Sequence, residues 1–407
     1  MKKLLVKNIG LLATPEGKSA HRGEEQGKIK FLKDAWVLIE DGIIASVGTG
    51  AVPAVEGAEV VDAEGHLVTP GLVDAHTHLI FGGWRQNELG LKLHGASYLD
   101  IQNAGGGIQS TTNATRQASE QELAAKASKA LDEMMGFGTT TVEAKSGYGL
   151  ATEHELKALE VIKDLNDHHR MDLVATFMGA HLVPAEYKSN REEYVRLVCE
   201  EMMPKVKEQG IAKFCDVFCE ADTFTVEESR QVLEAGLKYG LRPKIHADEI
   251  EAIGSQLAGE IGAISAEHLI VCPPEGIASM AKGGVIACLL PATSFNLGAV
   301  FAPARDMVKA GVPVAMATDF NPGSCPCLNM QFVINLGCLK YKLTPEEVLT
   351  AVTLNGAAAI DLADKVGSVE EGKLGDLVIW DAPDLDYICY RVGSNLAKTV
   401  IKRGEIV

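Results

Sequence analysis

Apolar, strand-like runs alternate with helical stretches through most of this 407-residue chain. A connection between parallel strands needs about a dozen residues or more, which a helix supplies, so the alternation predicts an α/β fold with a parallel sheet. About eight such units are enough to close the sheet into a (β/α)8 TIM-like barrel, whose chemistry lies at the carboxyl ends of its strands. The predicted strands are Leu72–Leu79, Thr139–Glu143, Leu173–Phe177, Phe214–Phe218, Lys244–His246, Gly262–Ser265, Val285–Leu290 and Val312–Ala317.

Capping boxes mark the expected starts of several helices between these strands. In a capping box, a Ser or Thr side chain and a Glu three residues later satisfy each other's backbone N–H groups. Four pairs fit this pattern, namely Ser119 with Glu122, Thr152 with Glu155, Thr225 with Glu228, and Thr344 with Glu347.

The two ends of the chain carry short strands and tight turns instead. Trp36–Ile39 and Ile43–Val47 flank an Asp-Gly turn near the start, and Gly375–Trp380 and Lys398–Ile401 lie near the end. Because a small isolated sheet is only marginally stable, we expect the two ends to pair with each other. The prediction is a composite β-sandwich domain formed by residues 1–66 and 366–407, with the catalytic barrel at 67–365.

The composition limits the classes of partner. The formal net charge is −17 and no Lys/Arg cluster stands out, which argues against nucleic acid. No apolar run reaches the about 18 residues of a membrane span, and no secretory signal is recognisable. Nine scattered cysteines form no disulfide framework, and the close pair Cys325 and Cys327 is expected to be unpaired thiols rather than a redox or metal site. We expect a cytoplasmic protein that acts on a small molecule and binds no membrane.

Ligand-type side chains fall at the ends of several predicted strands. His76 and His78 lie two residues apart in an extended run, so their imidazoles project in the same direction. His246 and Asp319 each end a later apolar strand, and a buried carboxylate at such a point requires a cation as its partner. Three imidazoles and one carboxylate suit Zn²⁺ or Fe²⁺ and leave room for water, whose pKa such an ion lowers toward 7.

Other polar residues at the same end are candidates for proton transfer and substrate binding. Glu249, His268 and Asp319 are candidates to take and return protons. Arg85 and Tyr148, on neighbouring loops, suit a carboxylate because guanidinium matches it bidentately. His181, Asn321, Gly323 and Ser324 follow predicted strands and offer further polar groups. Taken singly, His246 and His268 also fit hydrogen-bonded core residues, and Arg85 fits a solvated side chain.

Lys145 ends a predicted strand at a position where a carboxylated lysine would bridge two metal ions. We expect a single metal ion and treat the two-metal site as the less favoured alternative. His21, His94, His154 and the His168-His169 pair are expected to lie outside the site.

Together these motifs resemble the mononuclear branch of the amidohydrolase superfamily and, within it, the imidazolonepropionase family. The stretches that carry the resemblance are Asp74–Leu79, His94–Tyr98, Ala104–Ile108, Ser146–Leu150, Asp216–Glu220, Lys244–Glu249, Ala317–Ser324 and Gly367–Lys373. Small departures are Trp84, in a loop position that often holds a smaller residue, and the Glu220-Ala-Asp222 turn.

The resemblance implies hydrolysis of 4-imidazolone-5-propanoate to N-formimidoyl-L-glutamate, a step of L-histidine degradation, by a homodimer. The family's metal ligands map onto His76, His78, His246 and Asp319. Its substrate contacts map onto Arg85, Tyr148, His181, Glu249, Asn321, Gly323 and Ser324.

In the expected mechanism, Asp319 or His268 helps to deprotonate a metal-bound water that attacks the ring carbonyl carbon. His268 supports the developing oxyanion, Glu249 carries the proton to the departing nitrogen, and Arg85 with Tyr148 holds the propanoate. Two alternatives stay open at this point. They are an amino-heterocycle deaminase of the same superfamily and a barrel that binds metal without catalysis.

Overall fold

The computed structural model describes residues 2–95 and 105–407 and contains a parallel eight-stranded barrel. Its strands follow one another around the barrel in chain order, each pairing in parallel with the next. They are β6 (Leu72–Thr77), β7 (Thr139–Lys145), β8 (Asp172–Ala180), β9 (Phe214–Cys219), β10 (Arg242–Ala247), β11 (Ser265–His268), β12 (Ile286–Leu289) and β13 (Val314–Met316).

The barrel closes where its last strand meets its first. The backbone N–H of Asp319 donates to the carbonyl of His76 at 3.0 Å, and that of His78 donates to the carbonyl of Phe320 at 2.9 Å. Deeper in the same seam, the Thr318 hydroxyl donates to the carboxylate of buried Asp74 at 2.6 Å. The closure therefore joins the His-x-His segment directly to the segment that carries Asp319.

The predicted eight-fold alternation is confirmed, with one strand displaced. The sixth barrel strand runs over Ser265–His268, whereas the sequence predicted Gly262–Ser265. Gly262 instead takes a left-handed conformation, with φ of 65°, and ends the preceding helix. Glycine adopts this conformation without steric cost, so Gly262 is a helix cap and the strand begins after it.

Helices connect the strands and cover the barrel. Within the described ranges the α-helices are α1 (Glu88–Leu93), α2 (Gly107–Gln117), α3 (Glu120–Gly136), α4 (Thr152–His168), α5 (Arg191–Leu197), α6 (Met203–Gln209), α7 (Val226–Lys238), α8 (Ser255–Ile261), α9 (Pro274–Gly283), α10 (Pro291–Leu297), α11 (Ala304–Lys309), α12 (Met330–Leu339), α13 (Pro345–Ala351), α14 (Leu354–Ala359) and α15 (Leu385–Tyr390). None of these helices has the length and apolar character that crossing a bilayer would require.

Three of the four predicted capping boxes are present, at the starts of α3, α7 and α13. The fourth prediction, Thr152 with Glu155, is wrong. Ala151 is the N-cap of α4, so Glu155 lies one residue too far along for a box, and the Thr152 hydroxyl donates to Glu201 at 2.7 Å.

Strands from both ends of the chain share one mixed sheet outside the barrel. They are β1 (Lys3–Thr14), β2 (Lys30–Glu40), β3 (Ile43–Thr49), β4 (Glu59–Asp62), β5 (Leu67–Pro70), β14 (Leu377–Trp380), β15 (Ala397–Lys402) and β16 (Glu405–Ile406). The link between the ends is β5, which pairs with β1 in parallel and with β14 in antiparallel orientation. The sheet therefore extends past the predicted boundary at residue 66. The other predicted domain boundaries stay predictions.

The amino-terminal end of the barrel is packed with apolar side chains. Residues from several strands, among them Val73, Phe214 and Ile286, form one buried cluster with Leu354 and Ala357 of α14. The amino-terminal end of the barrel is therefore filled by side chains, and the buried polar residues of the opposite end sit on a rigid base.

Candidate metal centre and active site

Three histidines and one aspartate converge at the carboxyl end of the barrel. The Nε2 atoms of His76 and His78 lie 3.5 and 3.6 Å from Oδ1 of Asp319. The Nε2 atoms of His78 and His246 are 3.2 Å apart. All four side chains are buried. The residues that the sequence predicted as metal ligands thus lie together, although 243 positions separate His76 from Asp319 in the chain (319 − 76).

Neighbouring side chains orient two of these groups. Nδ1 of His246 lies 3.1 Å from a carboxylate oxygen of Asp216, so Nδ1 carries the hydrogen and Nε2 keeps a free lone pair. Thr293 donates its hydroxyl to Oδ2 of Asp319 at 2.7 Å. Asp319 has a φ of 57°, a conformation that carboxylate residues tolerate better than most and that turns its side chain away from the strand direction.

The cluster has the properties that a bound cation would complete. Both ring nitrogens of His76, Nδ1 of His78 and Nδ1 of His268 are buried without a hydrogen-bond partner in the described part of the chain. Burial, followed by nearby positive charge, lowers the pKa of His76, His78 and His246 well below the usual value. Neutral imidazole is the form that coordinates metal. The residues present therefore fit a divalent metal ion.

Lys145 lies beneath this cluster, as an ion-paired ammonium. Its Nζ is 2.7 Å from Glu143 and 2.8 Å from Asp216, and all three side chains are buried. Burial by itself would lower the pKa of Lys145, but the two carboxylates reverse this and raise it above its usual value. Carboxylation of lysine requires the uncharged amine. The geometry therefore favours a single-metal site over the alternative with a modified Lys145.

Glu249 and His268 lie at the edge of the cluster. A carboxylate oxygen of Glu249 is 3.7 Å from Nε2 of His268, whose ring centroid is 5.8 Å from that of His76. Burial raises the pKa of Glu249 to about 7 and lowers the pKa of His268. A carboxyl group that titrates near neutrality can both accept and return a proton at physiological pH.

Tyr148 and His181 form one wall beside the histidine cluster. The ring of His181 stacks on that of His78, with centroids 4.8 Å apart and an interplanar angle of 20°. The Tyr148 ring lies 5.1 Å from His181 and 5.8 Å from His78. Nδ1 of His181 lies 2.9 Å from the carbonyl of Gly147, which fixes the ring against the loop that carries Tyr148.

Arg85 has an acidic partner that sequence reasoning missed. Its Nε and Nη2 donate to the two carboxylate oxygens of Glu88 at 2.8 and 3.0 Å. The guanidinium also lies against Gly323, where an added Cβ would be 2.2 Å from Nη1. Gly323 thus leaves the space that Arg85 occupies. Glu88 follows Arg85 by three residues, so an i,i+3 pairing is the signal that could have identified it.

The turn after Asp319 uses several of its polar groups internally. Oδ1 of Asn321 accepts the backbone N–H groups of Gly323 and Ser324, each at 2.8 Å. Its Nδ2 donates to the carbonyl of Asp319 at 2.7 Å. The sequence predicted these groups as donors to a substrate. In the structure they hold the shape of the turn that places Gly323 beside Arg85, and their contact with a substrate stays a prediction.

Two other sequence observations have clear outcomes. Cys325 and Cys327 are unpaired thiols, as predicted, and burial raises the pKa of both. Part of each of the motifs His94–Tyr98 and Ala104–Ile108 lies outside the described residues.

Asp216, Thr293 and Glu155 are further buried polar groups near the site that the pattern of strand ends did not single out.

Comparison with known proteins gives a consistent picture. The model of the amidohydrolase family matches residues 67–407. The imidazolonepropionase of Alkaliphilus metalliredigens is 52% identical over 414 residues, which cover 100% of this chain and 98% of that protein. The imidazolonepropionase of Geobacillus kaustophilus is 50% identical over 416 residues, with coverage of 100% and 98%.

Solved structures share the fold at much lower identity. An adenosine deaminase from Xanthomonas campestris with bound zinc has a TM-score of 0.72 at 20% identity, covering 100% of this chain and 92% of that one. An atrazine chlorohydrolase from Arthrobacter aurescens, in complex with zinc and atraton, has a TM-score of 0.70 at 17% identity, with coverage of 99% and 94%. These similarities establish the barrel fold.

Proposed function

Because this chain belongs to the imidazolonepropionases of the amidohydrolase family, we propose that the histidine and aspartate cluster is its active site. The enzyme is a hydrolase that acts on a carbon–nitrogen bond of a cyclic amide. Its reaction is the conversion of 4-imidazolone-5-propanoate to N-formimidoyl-L-glutamate in L-histidine degradation. One water is consumed, its oxygen becomes bonded to the ring carbonyl carbon, and the ring nitrogen leaves with a proton.

The convergence of His76, His78, His246 and Asp319 at the carboxyl end of the barrel carries this proposal. When bound there, a divalent ion would polarise the substrate carbonyl and lower the pKa of water. The deaminase alternative has no comparable support, because deaminases of known structure share only the fold, at 18–20% identity, whereas imidazolonepropionases match the whole chain at about 50% identity.

Side chains of this protein are assigned to proton transfer and to stabilisation of the oxyanion. Asp319, held by Thr293, and His268 lie where one can take the proton of the attacking water. His268 also lies close enough to the cluster to support the developing oxyanion, an interaction commonly worth about 3–4 kcal/mol. Glu249, with a pKa of about 7, carries the proton to the departing nitrogen.

The propanoate group requires a cationic pocket, because the protein as a whole is strongly acidic. Arg85 supplies the charge, with its guanidinium oriented by Glu88 and accommodated by Gly323. Tyr148 and His181 form the adjoining wall, and the Asn321–Ser324 turn closes the pocket on the side of Asp319. The substrate contacts proposed are therefore Arg85, Tyr148, His181, Glu249, Asn321, Gly323 and Ser324.

The metal proposed is Zn²⁺ or iron, because imidazole and carboxylate accept both. Zinc is the ion present in two proteins that share this fold. A cytoplasmic homodimer completes the proposal, on the strength of the family resemblance.

The test is to follow the ultraviolet absorbance of 4-imidazolone-5-propanoate with purified protein and to determine bound metal by elemental analysis. We expect substrate loss in protein with about one metal ion per chain, and none after chelation. Undiminished hydrolysis by chelated protein would refute the metal assignment.

A companion measurement tests the carboxylate anchor. Arg85→Ala should raise the KM for the propanoate-bearing ring by about tenfold or more, because a charge-assisted bidentate contact contributes about 1.5–3 kcal/mol. An unchanged KM would contradict the assignment of Arg85 and would favour a substrate without a carboxylate.

A further inference from the structure

Glu155 is a fully buried carboxylate that belongs to neither the metal cluster nor the predicted set of substrate contacts. It projects from the first turn of α4 into the concave side of the loop Ser146–Leu150. There it accepts the backbone N–H of Gly147 at 3.0 Å and those of Gly149 and Leu150 at 2.8 Å each. One side chain therefore satisfies three backbone donors of a loop that has no regular secondary structure.

The same loop is held from its outer side by a cation. Arg116 donates through Nε to the carbonyl of Gly149 at 2.7 Å and through Nη2 to that of Leu150 at 3.1 Å. The N–H groups of the loop thus point to a buried anion, and two of its carbonyls point to a guanidinium. Gly149 allows the loop to pack closely against the start of α4, because an added Cβ would lie 2.7 Å from the backbone nitrogen of Glu155.

This loop carries the wall of the proposed substrate pocket. Tyr148 lies between two of the residues that Glu155 binds, and the carbonyl of Gly147 contacts Nδ1 of His181. His181 in turn stacks on His78. A shift of the Gly147 peptide would therefore move Tyr148 and His181 together, while the proposed metal ligands, which lie on barrel strands or within three residues of their ends, would stay in place.

We infer that Glu155 is a positioning residue for substrate binding, acting through the backbone of Gly147–Leu150 on Tyr148 and His181. The inference rests on the proposed role of those two residues in holding the substrate. Loss of the carboxylate should weaken substrate binding far more than turnover, because the groups that break the carbon–nitrogen bond do not contact the loop's buried anion.

The principal variant is Glu155→Gln, which keeps the shape of the side chain but sets an NH₂ group against the N–H of Gly147. We expect KM for 4-imidazolone-5-propanoate to rise about five- to tenfold, with kcat changed less than about threefold. The matched control is Glu347→Gln. Glu347 is also a buried carboxylate that accepts a backbone N–H, from Thr344 at 2.8 Å, but in the capping box of α13.

A double-mutant cycle with Tyr148→Phe asks whether Glu155 acts through the loop. The increase in KM caused by Glu155→Gln should be smaller in the Tyr148→Phe background than in the unmodified enzyme, and the part that acts through His181 should remain. An unchanged KM in Glu155→Gln, or full additivity with Tyr148→Phe, would overturn the inference. Should Glu155→Gln not fold, Arg116→Ala removes the outer restraint on the same loop and is judged by the same criteria.

Hydrogen–deuterium exchange separates failure of this inference from failure of the proposed function. The amides of Gly147, Gly149 and Leu150 should exchange faster in Glu155→Gln than in the unmodified protein, and at an unchanged rate in Glu347→Gln. This readout needs no substrate. Unchanged protection in Glu155→Gln would exclude the positioning role even if the enzyme is an imidazolonepropionase.

Discussion

Two adjacent layers of buried polar groups in the barrel differ in how their charges are satisfied. In the lower layer, Lys145 pairs with Glu143 and Asp216, and Lys244 lies 3.2 Å from Glu267 and 2.8 Å from the Ser265 hydroxyl. In the upper layer, formed by His76, His78, His246 and Asp319, both ring nitrogens of His76 and Nδ1 of His78 find no hydrogen-bond partner among the described residues. The side chains of both layers are buried.

The difference separates a structural network from a binding site. Buried polar groups in folded proteins are almost always hydrogen-bonded, since an unmet donor or acceptor costs about 1–3 kcal/mol. The lower layer meets this requirement within the chain. The upper layer leaves ring nitrogens unmet among the described residues, and its donor set fits a divalent metal ion. Asp216 joins the two layers, because it pairs with Lys145 below and orients His246 above.

The largest effect is expected from breaking the lower layer. Lys145→Met removes the cation between two buried carboxylates and should lower the free energy of unfolding by about 3–5 kcal/mol. Thermal or denaturant unfolding measures this change. The control, Lys205→Met, removes an exposed pair with Glu201 and should cost at most about 1 kcal/mol. Equal losses in the two variants would contradict the distinction between the layers.

A change at the edge of the upper layer should act on catalysis instead. Glu249→Gln keeps the size of the side chain but removes its proton-carrying capacity, so kcat should fall by about 10²-fold or more. The metal content, measured by elemental analysis, should stay near that of the unmodified enzyme. Parallel loss of metal and activity would show that Glu249 supports the metal site rather than proton transfer.

Removal of the metal ion should lower the stability of the fold, because polar groups of the upper layer would then lose their partner. Restoring Zn²⁺ to chelated protein, at about 100 times its dissociation constant, should stabilise the fold by about 2.7 kcal/mol and raise Tm. In His76→Ala this stabilisation should be lost. A chelated protein with the same Tm as the metal-loaded one would mean that the cluster does not bind the ion in the folded state.

The pH dependence of kcat/KM should test the assignment of Glu249 as the group that transfers the proton. Burial raises its pKa from 4.5 to about 7, so the carboxyl is protonated below neutrality and charged above it. If the charged form accepts the proton in the reaction, kcat/KM should fall about tenfold per pH unit below pH 7. This acidic limb should disappear in Glu249→Gln, and its persistence there would assign the limb to another group.

The parts of the molecule that sequence could predict are those governed by periodicity. Alternating apolar runs predicted the barrel, and residue type at the strand ends indicated His76, His78, His246 and Asp319 as candidate metal ligands. These residues lie on strands or within three residues of a strand end, and the direction of the strands is known once the fold is known. The one displaced strand is explained by Gly262. From sequence alone this glycine could begin a strand or cap a helix, and in the structure it caps the helix Ser255–Ile261.

The hydrogen-bond partners of individual polar side chains could not be predicted in this way. Thr152 and Glu155 have the spacing of a capping box, but the carboxylate finds better partners in the loop that precedes the helix. The amide of Asn321 bonds within its own turn, a use that residue type alone did not indicate, and its contact with a substrate stays a prediction. In both cases several donors compete for one side chain, and only the folded geometry decides between them.

The closure of the barrel has a consequence for how the enzyme matures. The first and last barrel strands meet at the backbone bond from Asp319 to His76, so the proposed metal ligands span the seam that folding must seal. During synthesis, a chain that has not yet reached residue 319 offers only histidines from one side of that seam. The proposed metal site would therefore be complete only once the ring is sealed.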